Sequence, residues 1–199
     1  MNTERLNRQI AFILEIDKLK SVLRRSYLLN ETRHENSAEH SWHLSVMALV
    51  LAEHVDAEIN QLRVLKMLLV HDIVEIDSGD TYIYDAAGND TKAAREQEAA
   101  QRIFGLLPPD QSVEVQELWQ EFEARETPEA KFAAALDRLM PLLHNYHTGG
   151  RSWREHNISK AQVLRLNRHI EAGSKSLWEY AEALINDAAV NGYLREELK

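Results

Sequence analysis

Cysteine is absent from the 199-residue sequence, and glycine and proline are scarce. Without cysteine, the protein cannot form disulfides, thiolate-bound zinc sites or iron–sulfur clusters, and it has no thiol nucleophile. The chain has 7 glycines and 4 prolines, whereas average usage is roughly 7% and 5%. Because turns and β-rich folds use both residues heavily, their scarcity favours a helical protein.

Long apolar runs and excess positive charge are also missing. The longest clean apolar run covers residues 46–52, far short of the roughly 20 residues that span a membrane. The 23 Lys and Arg residues are outnumbered by 32 Asp and Glu residues, giving a net charge of −9. We therefore expect no extended nucleic-acid or membrane surface, although a local basic pocket could still bind a small anion. The polar N-terminus lacks the layout of a secretion signal, which favours a cytoplasmic location.

Apolar residues recur at helical spacing along most of the chain, which predicts one all-α domain spanning residues 1–199. Side chains suited to helix N-caps precede these segments at Asn36, Asn60, Thr91, Thr127, Ser159 and Ser174. The pattern predicts a continuous helix from residue 61 to about 77 and C-terminal helices over about 159–191. The basic segment 18–34 and the turn-rich segment 78–90 lack helical periodicity and are predicted to be irregular.

Polar residues interrupt three apolar helical segments. His40 lies in AEHSWH, His71 and Asp72 lie in LLVHDIVE, and Asp137 lies in AAALDRLM. Burying an imidazole or a carboxylate costs free energy unless a partner or an ion compensates. Taken one at a time, a histidine bonded to a carboxylate, or an aspartate paired with Arg138, explains each segment without a metal. Together they form the order His, His-Asp, Asp.

This order, with AEHSW, HDIVEIDSGD and the helix that carries Asp137, resembles the HD-domain metal-dependent phosphohydrolases. Within that superfamily the chain resembles the bacterial 5′-deoxynucleotidase branch and its uncharacterised relatives. The resemblance implies a helical HD domain with its metal-binding core at about residues 36–148. It also implies a divalent ion held by His40, His71, Asp72 and Asp137. Imidazole and carboxylate ligands without thiolate suit Mn²⁺, Co²⁺, Fe²⁺, Ni²⁺ or Zn²⁺ better than Ca²⁺.

Glu75 and Asp80 match the acidic residues of the family that do not bind the metal. The implied reaction is hydrolysis of deoxynucleoside 5′-monophosphates, or similar small phosphomonoesters, by a water molecule that the metal activates. Glu75, one turn after His71, would orient or deprotonate that water, and Asp80 would assist as an acid or a hydrogen-bonding group. Alternatively, Glu75 only holds His71 in place, and Asp80 only forms a turn after Gly79.

Substrate phosphate requires positive charge near the metal. The sequence offers Arg24, Arg25, Arg33 and Lys92. The nucleotidases carry an Arg-Trp pair where this chain has Arg24 and Arg25, and their loop after Gly-Asp is shorter than the TYIYDAAGND segment found here. Both departures concern substrate contacts and not metal ligands. His144 is a further candidate substrate contact, and His43 is expected to have a packing or supporting role.

Two alternatives remain open from the sequence. The chain could be an HD hydrolase that acts on another phosphate ester or a pyrophosphate, or a helical interaction module without activity. The resemblance also makes a homodimer possible. Bound metal in the purified protein would favour either enzyme over the interaction module.

Overall fold

The computed structural model describes residues 3–195, except for the side chains of residues 86, 87 and 89. Within this range the fold is all-α apart from one small two-stranded sheet, as predicted. No helix among these residues is both long and apolar enough to cross a membrane. The helices are α1 (Thr3–Ile16), α2 (Ser37–Leu51), α3 (Gln61–Val70), α4 (Glu75–Ser78), α5 (Ala86–Phe104), α6 (Pro109–Ala124), α7 (Pro128–His147), α8 (Arg151–Glu155), α9 (Lys160–Asn167), α10 (Ile170–Gly173) and α11 (Lys175–Val190).

Five of the six predicted N-caps are confirmed. The side chains of Asn36, Asn60, Thr127, Ser159 and Ser174 each accept a hydrogen bond from the first turn of the helix that follows. The prediction for Thr91 is wrong, because α5 begins earlier, at Ala86. There the Asp85 carboxylate accepts a hydrogen bond from the backbone N–H of Gly88. An earlier capping residue therefore starts the helix, and Thr91 lies inside it.

The basic segment that the sequence suggested to be irregular contains an antiparallel hairpin. Strand β1 (Leu23–Tyr27) pairs with β2 (His34–Asn36). The Tyr27 and His34 rings stack next to the loop that joins the two strands, with centroids 4.1 Å apart. This hairpin carries Arg24 on one strand and Glu35 on the other, and it directly precedes α2.

The helix predicted from residue 61 to about 77 is interrupted. Helix α3 ends at Val70, and α4 starts only at Glu75. Between them, Ile73 N–H bonds to the Val70 carbonyl and Glu75 N–H bonds to the Asp72 carbonyl, which is the tighter spacing of a 3-10 turn. His71 and Asp72 therefore lie at a bend, and apolar periodicity alone does not reveal this bend. The helix expected after Ser159 is likewise divided into α9 and α10.

Helix α7 lies at the centre of the main apolar core. Its apolar residues Phe132, Ala133, Leu136 and Leu139 are buried, and it packs against α2, α3, α6, α10 and α11. The approach of α10 is close: a Cβ atom on Gly173 would lie 2.4 Å from the Lys131 carbonyl oxygen. Because α7 is enclosed on several sides, two of its polar residues, Asp137 and His144, are also buried.

Candidate metal centre

The four predicted ligands meet at one buried point. His40 comes from α2, His71 and Asp72 from the bend after α3, and Asp137 from α7. His40 Nε2 lies 2.9 Å from Asp137 Oδ1, and His71 Nε2 lies 3.0 Å from Asp72 Oδ1 and 3.7 Å from Asp137 Oδ1. All four residues are less than a tenth exposed. The structure thus brings together two imidazoles and two carboxylates that are 31 to 97 residues apart along the chain, apart from the adjacent pair.

The ring of His71 is oriented by its own helix. Nδ1 lies 2.9 Å from the Leu68 carbonyl oxygen, and because that oxygen can only accept, Nδ1 donates the hydrogen. Nε2 then faces the two carboxylates, yet it forms no well-aligned hydrogen bond within residues 3–195. A buried imidazole nitrogen fixed in this way, next to two carboxylates, fits a divalent cation of the transition series.

His40 is held between two carboxylates. Its Nε2 donates to Asp137, and its Nδ1 lies 3.3 Å from Oε2 of Glu35. If the ring hydrogen is on Nδ1 instead, Nδ1 can donate a hydrogen bond to Glu35. The lone pair of Nε2 is then free to bind a metal. Sequence reasoning missed Glu35. The signal that could have found it is the hairpin, since Arg24 and Glu35 approach each other across the two strands.

Arg24 occupies the middle of the acidic groups. Its Nη1 donates to Asp72 Oδ2 at 2.8 Å and lies 3.7 Å from Asp80 and 4.0 Å from Glu75. Its Nη2 lies 3.9 Å from Asp137. With Glu35 at 3.9 Å from its Nε, the guanidinium is shared among five carboxylates, whereas the sequence prediction treated it as available to a phosphate. One positive charge does not balance five carboxylates, and this imbalance favours binding of a further cation.

Burial and neighbouring charges shift the ionisation of these groups. Burial and the nearby Asp72 raise the pKa of Glu75 to about 8, and burial also raises the pKa of Asp80. Burial opposes ionisation of Asp137, but Arg138 and the two imidazoles hold its pKa well below the usual range. Burial also opposes a charge on His71, yet Asp72 and Asp137 raise its pKa to about 9. A metal must therefore displace a proton from His71 when it binds.

A cavity opens directly beside this centre. It has a volume of about 910 Å³ when the open solvent at its mouth is included. His71, Asp72 and Asp137 form part of its wall, together with the predicted residues Arg24, Arg25, Glu75, Asp80 and Lys92. Sequence reasoning did not assign Arg125 and Arg138 to a pocket, although both line it. They come from the end of α6 and from α7, so only the packing of these helices shows that they belong there.

Two predicted substrate contacts lie elsewhere. Arg33 is exposed and forms a two-pronged ion pair with Glu39, at 2.8 and 2.5 Å, in the first turn of α2. It is not part of the cavity wall as described. His144 is also outside that wall, and its ring lies beside His43 with centroids 6.0 Å apart. Neither side chain therefore lines the cavity. Arg33 supports the start of α2, and His144 belongs to a separate group with Glu35 and His43.

The segment that follows Gly79 and Asp80 contributes aromatic rings to the cavity. Tyr82 and Tyr84 have ring centroids 5.1 Å apart, and Tyr82 also packs on His156 at 4.7 Å. Both tyrosines line the cavity, as does the buried Trp153. The residues that distinguish this segment from a short loop therefore lie next to the metal centre, where they can contact a substrate.

Comparison with known proteins shows similarity to 5′-deoxynucleotidases. The chain is 35% identical over 135 residues to human 5′-deoxynucleotidase HDDC2, covering 67% of this chain. It spans only 65% of the length of that human relative. It is also 26% identical over 206 residues to 5′-deoxynucleotidase hdd1 of Schizosaccharomyces pombe, covering 100% of this chain and 93% of that protein.

One solved structure is similar to this chain in both sequence and fold. It is the crystal structure of a predicted metal-dependent phosphohydrolase from Magnetospirillum magnetotacticum MS-1, with 55% sequence identity and a TM-score of 0.93. The match covers 96% of both chains. A family model described as HD domain matches residues 16–178. This range includes His71 and Asp72 at the bend, together with His40 and Asp137. By this match and by its relatives, the chain belongs to the HD-domain family.

Proposed function

We propose that this protein is a metal-dependent phosphomonoesterase that hydrolyses deoxynucleoside 5′-monophosphates. The observation that carries the proposal is the meeting of two imidazoles and two carboxylates beside a cavity that also contains basic side chains. The names of the human and yeast relatives support the substrate class. The similarity to a predicted metal-dependent phosphohydrolase supports the need for a metal.

In this proposal His40, His71, Asp72 and Asp137 hold one divalent cation. Their donor atoms suit Mn²⁺, Co²⁺, Fe²⁺, Ni²⁺ or Zn²⁺. When bound, such a cation lowers the pKa of water and stabilises the negative charge of a phosphate in the transition state. Arg24 remains beside the carboxylates and balances part of their charge.

In this proposal Glu75 and Asp80 each carry out one of the two proton transfers of the reaction. Ser37 Oγ donates to Oε2 of Glu75 at 2.6 Å, which fixes the carboxylate while its Oε1 faces Arg24. We assign to Glu75 the orientation of the attacking water and the acceptance of its proton. Asp80 lines the same cavity and, because burial raises its pKa, it can deliver a proton to the departing 5′ oxygen.

The cavity supplies different contacts for the two ends of a nucleotide. Arg25, Lys92, Arg125 and Arg138 line it and can bind phosphate oxygens. Lys92 lies 3.4 Å from Glu96 and Arg138 lies 3.6 Å from Asp137, so both cations are held near the centre. The rings of Tyr82 and Tyr84 can stack on a base. Arg33 and His144 have no part in this proposal.

The test is phosphate release from a panel of deoxy- and ribonucleoside 5′-monophosphates, with metal-stripped protein and added Mn²⁺ or Co²⁺. We expect turnover only with metal and faster turnover of deoxynucleotides. Asp137→Asn should abolish turnover, while Asp77→Asn, an exposed residue of α4 paired with Arg102, should not. Absence of activity on every monophosphate at saturating metal would refute the proposal and direct attention to other phosphate esters.

A further inference from the structure

Glu35, His43 and His144 form a second group of side chains with metal-binding donor atoms. One donor atom from each residue lies within 4.8 Å of the other two. The residues come from β2, α2 and α7, so the group joins three separate elements. With bonds of about 2.0–2.2 Å to one ion, two ligand atoms lie at most about 4.4 Å apart, so only a small movement of these side chains would let all three bind the same ion.

The position of this group follows from the helices that build the first centre. His43 lies three residues after His40 on α2, and His144 lies seven residues after Asp137 on α7. Residues at these spacings lie on the same face of a helix. The two helices that bring His40 next to Asp137 therefore also bring His43 next to His144, one or two turns further along.

Burial leaves this group with unused hydrogen-bonding capacity. Glu35 is 2% exposed and His144 is 5% exposed. Oε2 of Glu35 and Nδ1 of His144 have no hydrogen-bond partner in the part of the chain that the structure describes. Unpaired buried polar atoms are rare because their desolvation is not repaid. Burial also lowers the pKa of His144, which keeps a nitrogen lone pair of its ring available to a metal.

Neighbouring charges set the expected strength of this site. Oε2 of Glu35 lies 3.3 Å from His40 Nδ1 and 3.9 Å from Arg24 Nε. The Arg24 charge opposes a cation at Oε2 of Glu35, and a carboxylate has two oxygens that can act as ligands. With one carboxylate here and two at the first centre, we expect weaker binding here than at His71 and Asp72.

We propose that Glu35, His43 and His144 bind a second divalent ion of the transition series, such as Zn²⁺ or Co²⁺. Two imidazoles and one carboxylate are a ligand set suited to these ions and poorly suited to Ca²⁺ or Mg²⁺. His43 is only partly buried, which leaves a path from solvent and room for water in the coordination shell. The ion connects β2 to α2 and α7. Its ligand Glu35 also faces His40 of the first centre.

The experiment measures metal stoichiometry and needs no substrate. Metal-stripped protein is titrated with Co²⁺ or Zn²⁺ in a calorimeter, and the metal retained after gel filtration is measured by elemental analysis. We expect two equivalents for the unmodified protein, the second weaker than the first. His43→Ala and His144→Ala should each retain one equivalent. His147→Ala, an exposed histidine three residues after His144 on the same helix, should retain two.

Two further variants separate this site from the proposed active site. Asp72→Ala should keep one equivalent, bound at Glu35, His43 and His144, and the Asp72→Ala/His43→Ala double variant should keep none. Circular dichroism checks folding, and if the buried His144 variant unfolds, the partly exposed His43 variant decides. One equivalent in the unmodified protein, or two equivalents in His43→Ala, would overturn the second site. Neither result would affect the proposed hydrolase activity.

Discussion

Ser37 and Glu75 are joined by a 2.6 Å hydrogen bond from the Ser37 hydroxyl to Oε2 of the buried carboxylate. Ser37 is the first residue of α2 and Glu75 is the first residue of α4. The bond therefore connects the helix that carries His40 to the short helix that follows the bend at His71. It also fixes which oxygen of Glu75 faces the cavity, so the proposed base cannot rotate freely.

Replacing Glu75 should remove turnover without removing the metal. Glu75→Gln keeps the size of the side chain and can still bond to Ser37, but it cannot accept a proton. We expect turnover to fall by about 10²–10⁴-fold, the usual contribution of general acid–base catalysis, with metal content unchanged. Steady-state rates and elemental analysis measure the two quantities, and Asp77→Asn on α4 is the control. Recovery of the rate at saturating metal would instead show that Glu75 only supports His71.

Replacing Ser37 should change the pH dependence of the reaction. The Ser37 hydroxyl favours the charged form of Glu75 and so lowers the pKa of that carboxyl. Ser37→Ala removes this contribution, so the pKa of Glu75 rises and a higher pH is required to ionise it. We expect the acidic limb of the rate profile to move to higher pH, with turnover near its full value on the alkaline side. A uniform loss of rate at every pH would contradict this mechanism and indicate misfolding.

Removing a predicted ligand should remove the metal from the first centre. His71→Ala deletes a nitrogen that has no well-aligned partner within residues 3–195, and Asp72→Ala deletes the carboxylate beside it. Each variant loses one of the four proposed ligands, so we expect one equivalent of metal fewer than in the unmodified protein. Elemental analysis after gel filtration measures the difference. Unchanged metal content in both variants would refute the centre.

The sequence predicted those parts of the molecule that depend on local chemistry. Asn36, Asn60 and Thr127 cap helices as expected, since a capping side chain bonds only to the next turn. The bend after Val70 was missed because residues 67–74 are mostly apolar and read equally well as an unbroken helix. The hairpin was missed because two short strands with mixed polarity give little periodic signal.

The candidate site also has one part that the sequence predicted and one part that it did not. His40, His71, Asp72 and Asp137 carry a recognisable order along the chain, and the structure brings them together. Contacts between elements were not predictable in this way. The ion pairs of Arg24 with five carboxylates, and the approach of Glu35 to His40, depend on how the hairpin packs against α2 and α7.

The stability of the fold should decrease in acid because of His169. The ring is partly buried, and its Nε2 has no hydrogen-bond partner within residues 3–195. Burial, followed by the positive charges of Arg138 and Arg125, lowers the pKa of His169 to about 4. The unfolded chain binds this proton near pH 6.5, whereas the folded protein binds it only near pH 4. Stability is therefore unaffected above pH 6.5 and is lost progressively between these two values.

His169→Gln should weaken this acid sensitivity. A shift of this size in a fully buried group corresponds to about 3 kcal/mol, and solvent screening of the partly exposed ring reduces our expectation to about 1 kcal/mol. The measurement is the free energy of urea unfolding at pH 7 and pH 4.5. We expect the difference between the two pH values to be about 1 kcal/mol smaller in His169→Gln than in the unmodified protein. The same substitution at the exposed His147 is the control, and an equal difference in all three proteins would show that His169 does not titrate as its surroundings require.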